Sequence, residues 1–296
     1  MKNKEYYISI EIGGTNLRYS IIDNELNIIY FNKIKTKDFS DAYDKIEYLS
    51  KNIIDDIMSK YKIKAIAFSL ASLLDKTRRI AQSSPMIKNF ENVELADIFE
   101  KKYNIDVFLQ KDVNSLLLYD INKNHLDKNG IIVGIYLGTG LGNAIAIDGK
   151  INYGFSGGSA ELGHIPALGC YNKCDCGKTG CIETLVSGRK LEQIANNHNI
   201  KDISSIFNYF DDIEELKDFV RYFAIAVATE ISILDPNAVI IGGGVPVMKN
   251  FPLDFFENEV KNNLRAPNPR NDINIIYSDN DINAGVIGSI ISVLGL

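Results

Sequence analysis

The feature that most constrains this chain is an internal restart. Ile10-Glu11-Ile12-Gly13 lies over Ile135-Tyr136-Leu137-Gly138 at an offset of 125 residues, and Ile21-Ile22-Asp23 lies over Ala146-Ile147-Asp148 at the same offset. Each copy reads as an apolar, β-branched strand, a glycine turn and a returning strand. Two copies of one hairpin-led unit, each followed by alternating helices and strands, predict a duplicated α/β fold of two lobes with a central cleft. A chain of 296 residues has room for both.

Strands are predicted over residues 6–11, 17–22 and 27–33, and a helix over 41–60 on the spacing of Ile46, Leu49, Ile53, Ile54 and Ile57. A short strand at 65–70, a helix at 93–103, a strand at 107–110 and a helix after Asn114 follow. The second copy opens with strands at 131–137 and 143–147, and Asp148-Gly149 is a two-residue hairpin signal into 150–153. Helices from about 188 and over 213–234, a strand at 238–241 and a last helix from about 282 complete the reading. The expected division is a smaller lobe over 1–115 and a larger one over 116–296, with the helix at about 282–296 packing back on the first.

Net charge and cysteine placement exclude several classes. A net charge of −6 and a pI near 5.2 lack the basic patch that a nucleic-acid partner requires. Residues 1–8 carry two lysines and a glutamate and run directly into a strand, so no signal peptide is expected. No apolar run approaches the ~18 residues that span a membrane. All four cysteines fall between 170 and 181, which rules out a long-range disulfide framework and fits a reducing cytoplasm.

Those cysteines carry the first chemical signal. His164, Cys174, Cys176 and Cys181, with glycines at 177 and 180 for tight turns, form a closed set of one imidazole and three thiols. That is the ligand set of a structural zinc, with no open position for an activated water. Cys170 falls outside the spacing. Glu161 and Glu183 stand at the edges of the loop and suggest that it presents polar groups to a small molecule.

Three glycine turns follow three predicted strands: Gly13-Gly14-Thr15, Gly138-Thr139-Gly140-Leu141-Gly142 and Gly242-Gly243-Gly244-Val245. Glycine admits backbone N–H groups close to an anion, so such turns bind phosphate oxygens, although any one alone reads as an ordinary tight turn. The first two occupy matching positions of the duplicated unit. Neither the Rossmann fingerprint nor the Walker A pattern is present. Asp112 stands at the end of the strand 107–110, where α/β folds place reactive groups. From position alone it is either a general base or a helix N-cap, and the cap reading leads.

Taken together, these residues resemble the ROK family (repressors, open reading frames and kinases), within the actin-like ATPase, ribonuclease H-like fold. The resemblance covers essentially the whole chain. It rests above all on Glu161-Leu162-Gly163-His164, Cys174-Asp175-Cys176-Gly177, Gly180-Cys181-Ile182-Glu183 and Ser187-Gly188. It implies an ATP-dependent hexose kinase that phosphorylates the C6 hydroxyl, with ATP, Mg²⁺ and a structural Zn²⁺ as cofactors, a hexose as substrate and a homodimer as the assembly. Carried over by position, Asp112 is the general base, which reverses the cap reading. Asn114, Glu161, His164 and Glu183 are sugar-binding residues, and His164, Cys174, Cys176 and Cys181 hold zinc. Glu11, Gly13, Gly14, Thr15, Gly138, Thr139 and Gly140 serve the phosphates, and Gly242, Gly243 and Gly244 the adenosine.

Three departures from the family pattern bear on substrate. Glu11 stands where Asp is usual, Lys111 precedes Asp112 where glucokinase-like members have Asn, and Met86 follows Ser84-Pro85 where many members have Asn. Lys111-Asp112-Val113-Asn114 is most similar to the D-allose kinases of the family, so allose is the expected hexose, with glucose, fructose, mannose or N-acetylmannosamine as alternatives. A sugar-sensing regulator is the rival class. Such members carry a helix-turn-helix before the first glycine turn, and here that turn begins at residue 13.

Overall fold

The computed structural model describes residues 4–84 and 87–296. Pro85 and Met86 lie outside the described residues, and with them the expectation placed on Met86. The chain divides into two compact units. One takes in Met1–Leu126, Tyr153–Ser159 and Asp281–Leu296, and the other Asp127–Asn152 and Ala160–Asn280.

The first unit is built on a five-stranded sheet of β1 (Tyr6–Ile12), β2 (Asn16–Asp23), β3 (Ile28–Lys35), β4 (Ile63–Leu70) and β5 (Asp106–Lys111), in the order β3-β2-β1-β4-β5. β1, β2 and β3 pair antiparallel, whereas β4 and β5 join parallel to β1. The second unit repeats this plan with β6 (Ile131–Leu137), β7 (Leu141–Ile147), β8 (Lys150–Ile151), β9 (Ala238–Gly242) and β10 (Ile275–Tyr277), in the order β8-β7-β6-β9-β10. Pairing senses match strand for strand. The restart at residue 131 is thus a duplicated topology, the mixed α/β sheet of actin-like ATPases.

In the first unit, β1 and β4 are buried along nearly their whole length because helices cover both sheet faces. One face holds Ile8, Ile10, Ile12, Phe68, Leu49, Ile53 and Phe99 in a single apolar cluster. The other sets Tyr7, Ile22, Ala65 and Ala67 against Val286 and Ile290 of the C-terminal helix Ala284–Leu294. Each buried Ile, Leu, Val or Phe side chain among these contributes about 1.5–3 kcal/mol by leaving water. In the second unit the long helix Glu214–Leu234 supplies the core with Phe219, Val220, Phe223 and Val227. Phe223 stacks on Phe256 of the helix Leu253–Asn262 at 4.8 Å between ring centroids.

Several expectations shift. The helix predicted from residue 41 starts at Lys45, because the Asp44 side chain caps it by accepting the Glu47 N–H at 2.9 Å. It continues to Lys60 through one widened turn, Ser50–Ile54. The first unit runs on to Leu126 instead of ending at 115, since the helix Asp112–Lys123 lies against the C-terminal helix. Among the described residues, no helix is long and apolar enough to cross a membrane.

The contact between those two helices depends on Gly288. A Cβ there would sit 1.8 Å from the Ser115 carbonyl oxygen. Gly288→Ala is expected to destabilise the fold by about 1–3 kcal/mol through overpacking, read as a lower urea midpoint at unchanged slope.

Candidate functional site

The first glycine turn closes the β1–β2 hairpin. The Gly13 N–H donates to the Asn16 carbonyl at 3.0 Å, and Thr36 clamps the turn by donating its hydroxyl to the Gly13 carbonyl at 2.6 Å. Glu11, two residues before the turn, faces Arg18 across the hairpin. The Arg18 Nη1 donates to Glu11 Oε1 at 2.7 Å, while Oε2 is buried without a hydrogen-bond partner. A Cβ on Gly285 would fall 2.7 Å from that oxygen, so the carboxylate fills space that the C-terminal helix leaves by carrying glycine. Burial raises the Glu11 pKa to about 7 despite the opposing charge of Arg18, and the nearby charge of Asp112 adds to the rise. Here desolvation outweighs the ion pair.

At the end of β5, Lys111 takes the helix N-cap position with no side-chain cap bond, and Asp112 is the first residue of the helix. The cap reading of Asp112 therefore gives way. Its Oδ1 accepts the Val113 N–H at 2.8 Å, and its charge lies in the first turn, where the helix dipole favours an anion. Lys111 reaches the Ser159 carbonyl with Nζ at 3.4 Å. Asn114 is buried, and its Nδ2 donates to Gln110 Oε1 at 3.0 Å. Gln110 in turn donates to the Tyr153 hydroxyl at 2.8 Å and to Ser292 Oγ at 3.1 Å. Asn114 thus anchors the Asp112 turn from below.

In the second unit, the ligand atoms of His164, Cys174, Cys176 and Cys181 all lie within 4.8 Å of one another. Cys176 Sγ is 3.6 Å from Cys181 Sγ, and Cys174 Sγ is 3.7 Å from His164 Nδ1. A tetrahedral zinc with Zn–S bonds of about 2.3 Å sets its sulfurs about 3.8 Å apart, so the four donors fit that ion. The turn Cys174–Gly177 closes with a 3.0 Å backbone bond, and Gly177 and Gly180 hold φ of 88° and 82°. Burial and the neighbouring thiols push the Cys181 thiol up to about 12, so a cation must displace its proton on binding. While Nδ1 of His164 faces the thiols, its Nε2 lies 3.8 Å from Glu161 Oε2. With an ion on Nδ1 this would place a carboxylate behind a ligating imidazole, the usual outer partner of such a ring.

Glu183 is almost enclosed. Its Oε2 accepts the Leu141 N–H at 2.9 Å, and its Oε1 accepts from Arg189 at 3.3 Å. A Cβ on Gly140 would meet that Oε2 at 2.4 Å, so Gly140 has to be glycine for the carboxylate to reach the second glycine turn. The turn itself is closed by the Gly138 N–H donating to the Gly140 carbonyl at 2.9 Å. In the third turn Gly243, at φ 90°, lies against the Leu137 backbone and exchanges 2.9 Å bonds with the Asn280 side chain. Gly242 packs on the Tyr136 ring.

Four residues absent from the sequence reading hold this arrangement together. Arg18 pairs with Glu11, and Arg189 pairs with both Glu183 and Asp175. Asn143 Oδ1 accepts the Leu162 N–H at 2.9 Å, and its Nδ2 donates to the buried Glu230 at 2.9 Å, which fastens the segment carrying Glu161 and His164 to β7. Arg18 was legible in principle, since residues 11 and 18 are symmetric about the hairpin turn. The other three carry no spacing signal.

The ROK family description matches residues 7–295. An N-acetyl-D-glucosamine kinase of Histophilus somni is 25% identical over 258 residues, 81% of this chain and 84% of that protein. A glucokinase of Streptomyces coelicolor is 24% identical over 306 residues, 95% of each chain. The crystal structure of a ROK family glucokinase from Streptomyces griseus in complex with glucose and AMPPNP superposes with a TM-score of 0.79 at 23% identity, covering 96% of this chain and 97% of that one.

The raised Glu11 pKa makes stability depend on pH. The folded state keeps this proton where the unfolded chain has lost it, so the contribution is complete below about 4.5 and is lost as pH rises through about 7. The urea midpoint should therefore fall more between about pH 5 and about pH 8 in the parent protein than in Glu11→Gln. Parallel profiles would show that Glu11 is ionised throughout.

Proposed function

This chain belongs to the ROK family, and on that footing we propose that it is an ATP-dependent hexose kinase forming the hexose 6-phosphate, with D-allose as its preferred sugar. The carrying observation is Asp112, a carboxylate on the first helical turn after β5, braced by the hydrogen-bonded chain Asn114–Gln110–Tyr153. Kinase relatives with glucose and N-acetylglucosamine in their names support the reaction class. For allose the support is Lys111, a cation beside the base where glucokinase-like members have Asn.

In this reading Asp112 accepts the proton of the C6 hydroxyl as its oxygen attacks the γ-phosphorus and the bond to the bridging oxygen of ADP breaks. Glu161, His164 and Glu183 hold the ring hydroxyls, and hydrogen bonds to carboxylates are the stronger kind. The backbone N–H groups of residues 13–15 and 138–140 give fixed dipoles for the phosphates, and residues 242–244 bed the adenosine. The nucleotide enters as its Mg²⁺ complex, and that ion neutralises phosphate charge as part of the substrate. Glu11 does not fit as a ligand to it: one oxygen is taken by Arg18 and the other is shut against Gly285. Its part is to seat Arg18 beneath the first turn. Zinc, held by His164, Cys174, Cys176 and Cys181, keeps the loop folded and takes no step in the transfer.

Asp112→Asn should lower kcat by about 10²–10⁴-fold with the sugar KM nearly unchanged, because the proton acceptor is lost and the shape is kept. A coupled ADP assay over allose, glucose, fructose, mannose, N-acetylmannosamine and N-acetylglucosamine tests the substrate. Allose should give the highest kcat/KM, and glucose or N-acetylglucosamine leading would refute the allose assignment while leaving the kinase. Elemental analysis of the purified protein should find about one zinc per chain.

A further inference from the structure

We infer that Arg189 is a positioning residue that couples the cysteine loop to the second glycine turn, so that zinc retention and nucleotide binding strengthen one another. The inference rests on the kinase reading above.

Arg189 is the second residue of the helix Gly188–Asn197, whose start is fixed by Ser187 accepting the Lys190 N–H at 3.2 Å. Its main chain touches the glycine turn. The Gly188 N–H donates to the Gly138 carbonyl at 2.7 Å and the Arg189 N–H to the Thr139 carbonyl at 3.4 Å. Gly188 allows this approach, since a Cβ there would lie 2.6 Å from the Gly138 oxygen. The guanidinium then forks. Nη1 donates to Asp175, which sits between the ligands Cys174 and Cys176, and Nη2 donates to Glu183 Oε1 at 3.3 Å. Glu183 closes the circuit by accepting the Leu141 N–H. One side chain therefore joins the metal loop to a carboxylate that grips the same turn its backbone touches.

Packing does not impose this bridge. The guanidinium borders a cavity of 570 Å³ lined by Lys173, Asp175, Glu183, Lys190 and Gln193. Asp175 is 64% exposed, so its pair with Arg189 contributes little to overall stability. Its effect is on position. With the metal bound, Asp175 is fixed within a ligated turn and holds the fork toward Glu183. With the metal gone, that turn loosens and the guanidinium can swing into the cavity, leaving Glu183 with the Leu141 N–H alone. A nucleotide that needs residues 138–141 in one geometry favours the bridged state, and linkage requires the effect to be reciprocal. A carboxylate has about four acceptor sites, so Glu183 can hold the bridge and a sugar hydroxyl together.

The test measures zinc affinity of the full-length protein by competition with a chromophoric chelator, with and without saturating AMPPNP, while calorimetry records AMPPNP binding separately. In the parent protein AMPPNP should tighten zinc by about fivefold or more. In Arg189→Met the two zinc affinities should coincide, and Arg189→Lys should restore part of the difference. Asp175→Asn, which keeps Arg189 and Glu183, carries the same expectation as Arg189→Met should that variant not fold. Zinc affinity indifferent to bound AMPPNP in the parent protein overturns the coupling, as does full coupling in Arg189→Met or Asp175→Asn. No calorimetric binding of AMPPNP overturns the kinase reading itself, and the coupling with it.

Discussion

The backbone around residues 137–141 is approached so closely that no side chain can intervene, and the organisation of the second unit follows from that. A Cβ on Gly163 would lie 2.2 Å from the Leu141 oxygen, one on Gly188 2.6 Å from the Gly138 oxygen, and one on Gly243 2.4 Å from the Leu137 oxygen. Three segments distant in sequence are thereby seated against the end of a single hairpin. Glycine forfeits conformational entropy in the unfolded chain, about 0.5–1 kcal/mol per site relative to alanine. The return is that main-chain N–H groups at 188, 189 and 245 bond directly to the carbonyls of residues 137–139.

The same logic explains why carboxylates here serve as braces. Glu183 reaches the turn only because Gly140 leaves the space, and Glu11 fits only because Gly285 does. Each carboxylate has a guanidinium on one oxygen, but their surroundings differ. Glu183 has a backbone N–H on the second oxygen. The second oxygen of Glu11 is buried without a hydrogen-bond partner, and burial raises the pKa of the group. One methylene beyond the usual Asp is enough to carry this carboxyl toward the helix and away from the turn. The position of this carboxyl is thus set by packing at the C-terminal helix.

What the sequence made legible is what depends on local pattern. The restart at residue 131 was visible because paired strands repeat their apolar spacing, and the observed strand orders match. The cluster of one imidazole and three thiols was visible because all four lie within one short stretch, and the structure gathers them. By contrast β10 is three residues long and only partly buried, too short for alternation to register. Arg189 and Asn143 act through partners fixed only after folding, so a lone Arg at a helix start and a lone Asn in a strand looked ordinary. Asp112 shows the limit of positional reasoning. A favoured N-cap residue at a strand–helix junction suggests a cap, yet the chain enters its helix one residue earlier, at Lys111.

His164 is where these strands of argument meet. Its backbone lies in the short turn Leu162–His164, which Asn143 fastens to β7 and the buried Glu230 behind it. Its Nδ1 faces the thiols and its Nε2 faces Glu161, so the ring has one orientation that serves both sides. An imidazole bound through Nδ1 carries its remaining proton on Nε2, and that proton points away from the metal toward the polar edge of the loop. A ligand on the thiol side therefore fixes the donor presented on the Glu161 side. On the proposed reading, an ion held by the thiols would in this way act on sugar recognition through the ring, without touching the sugar.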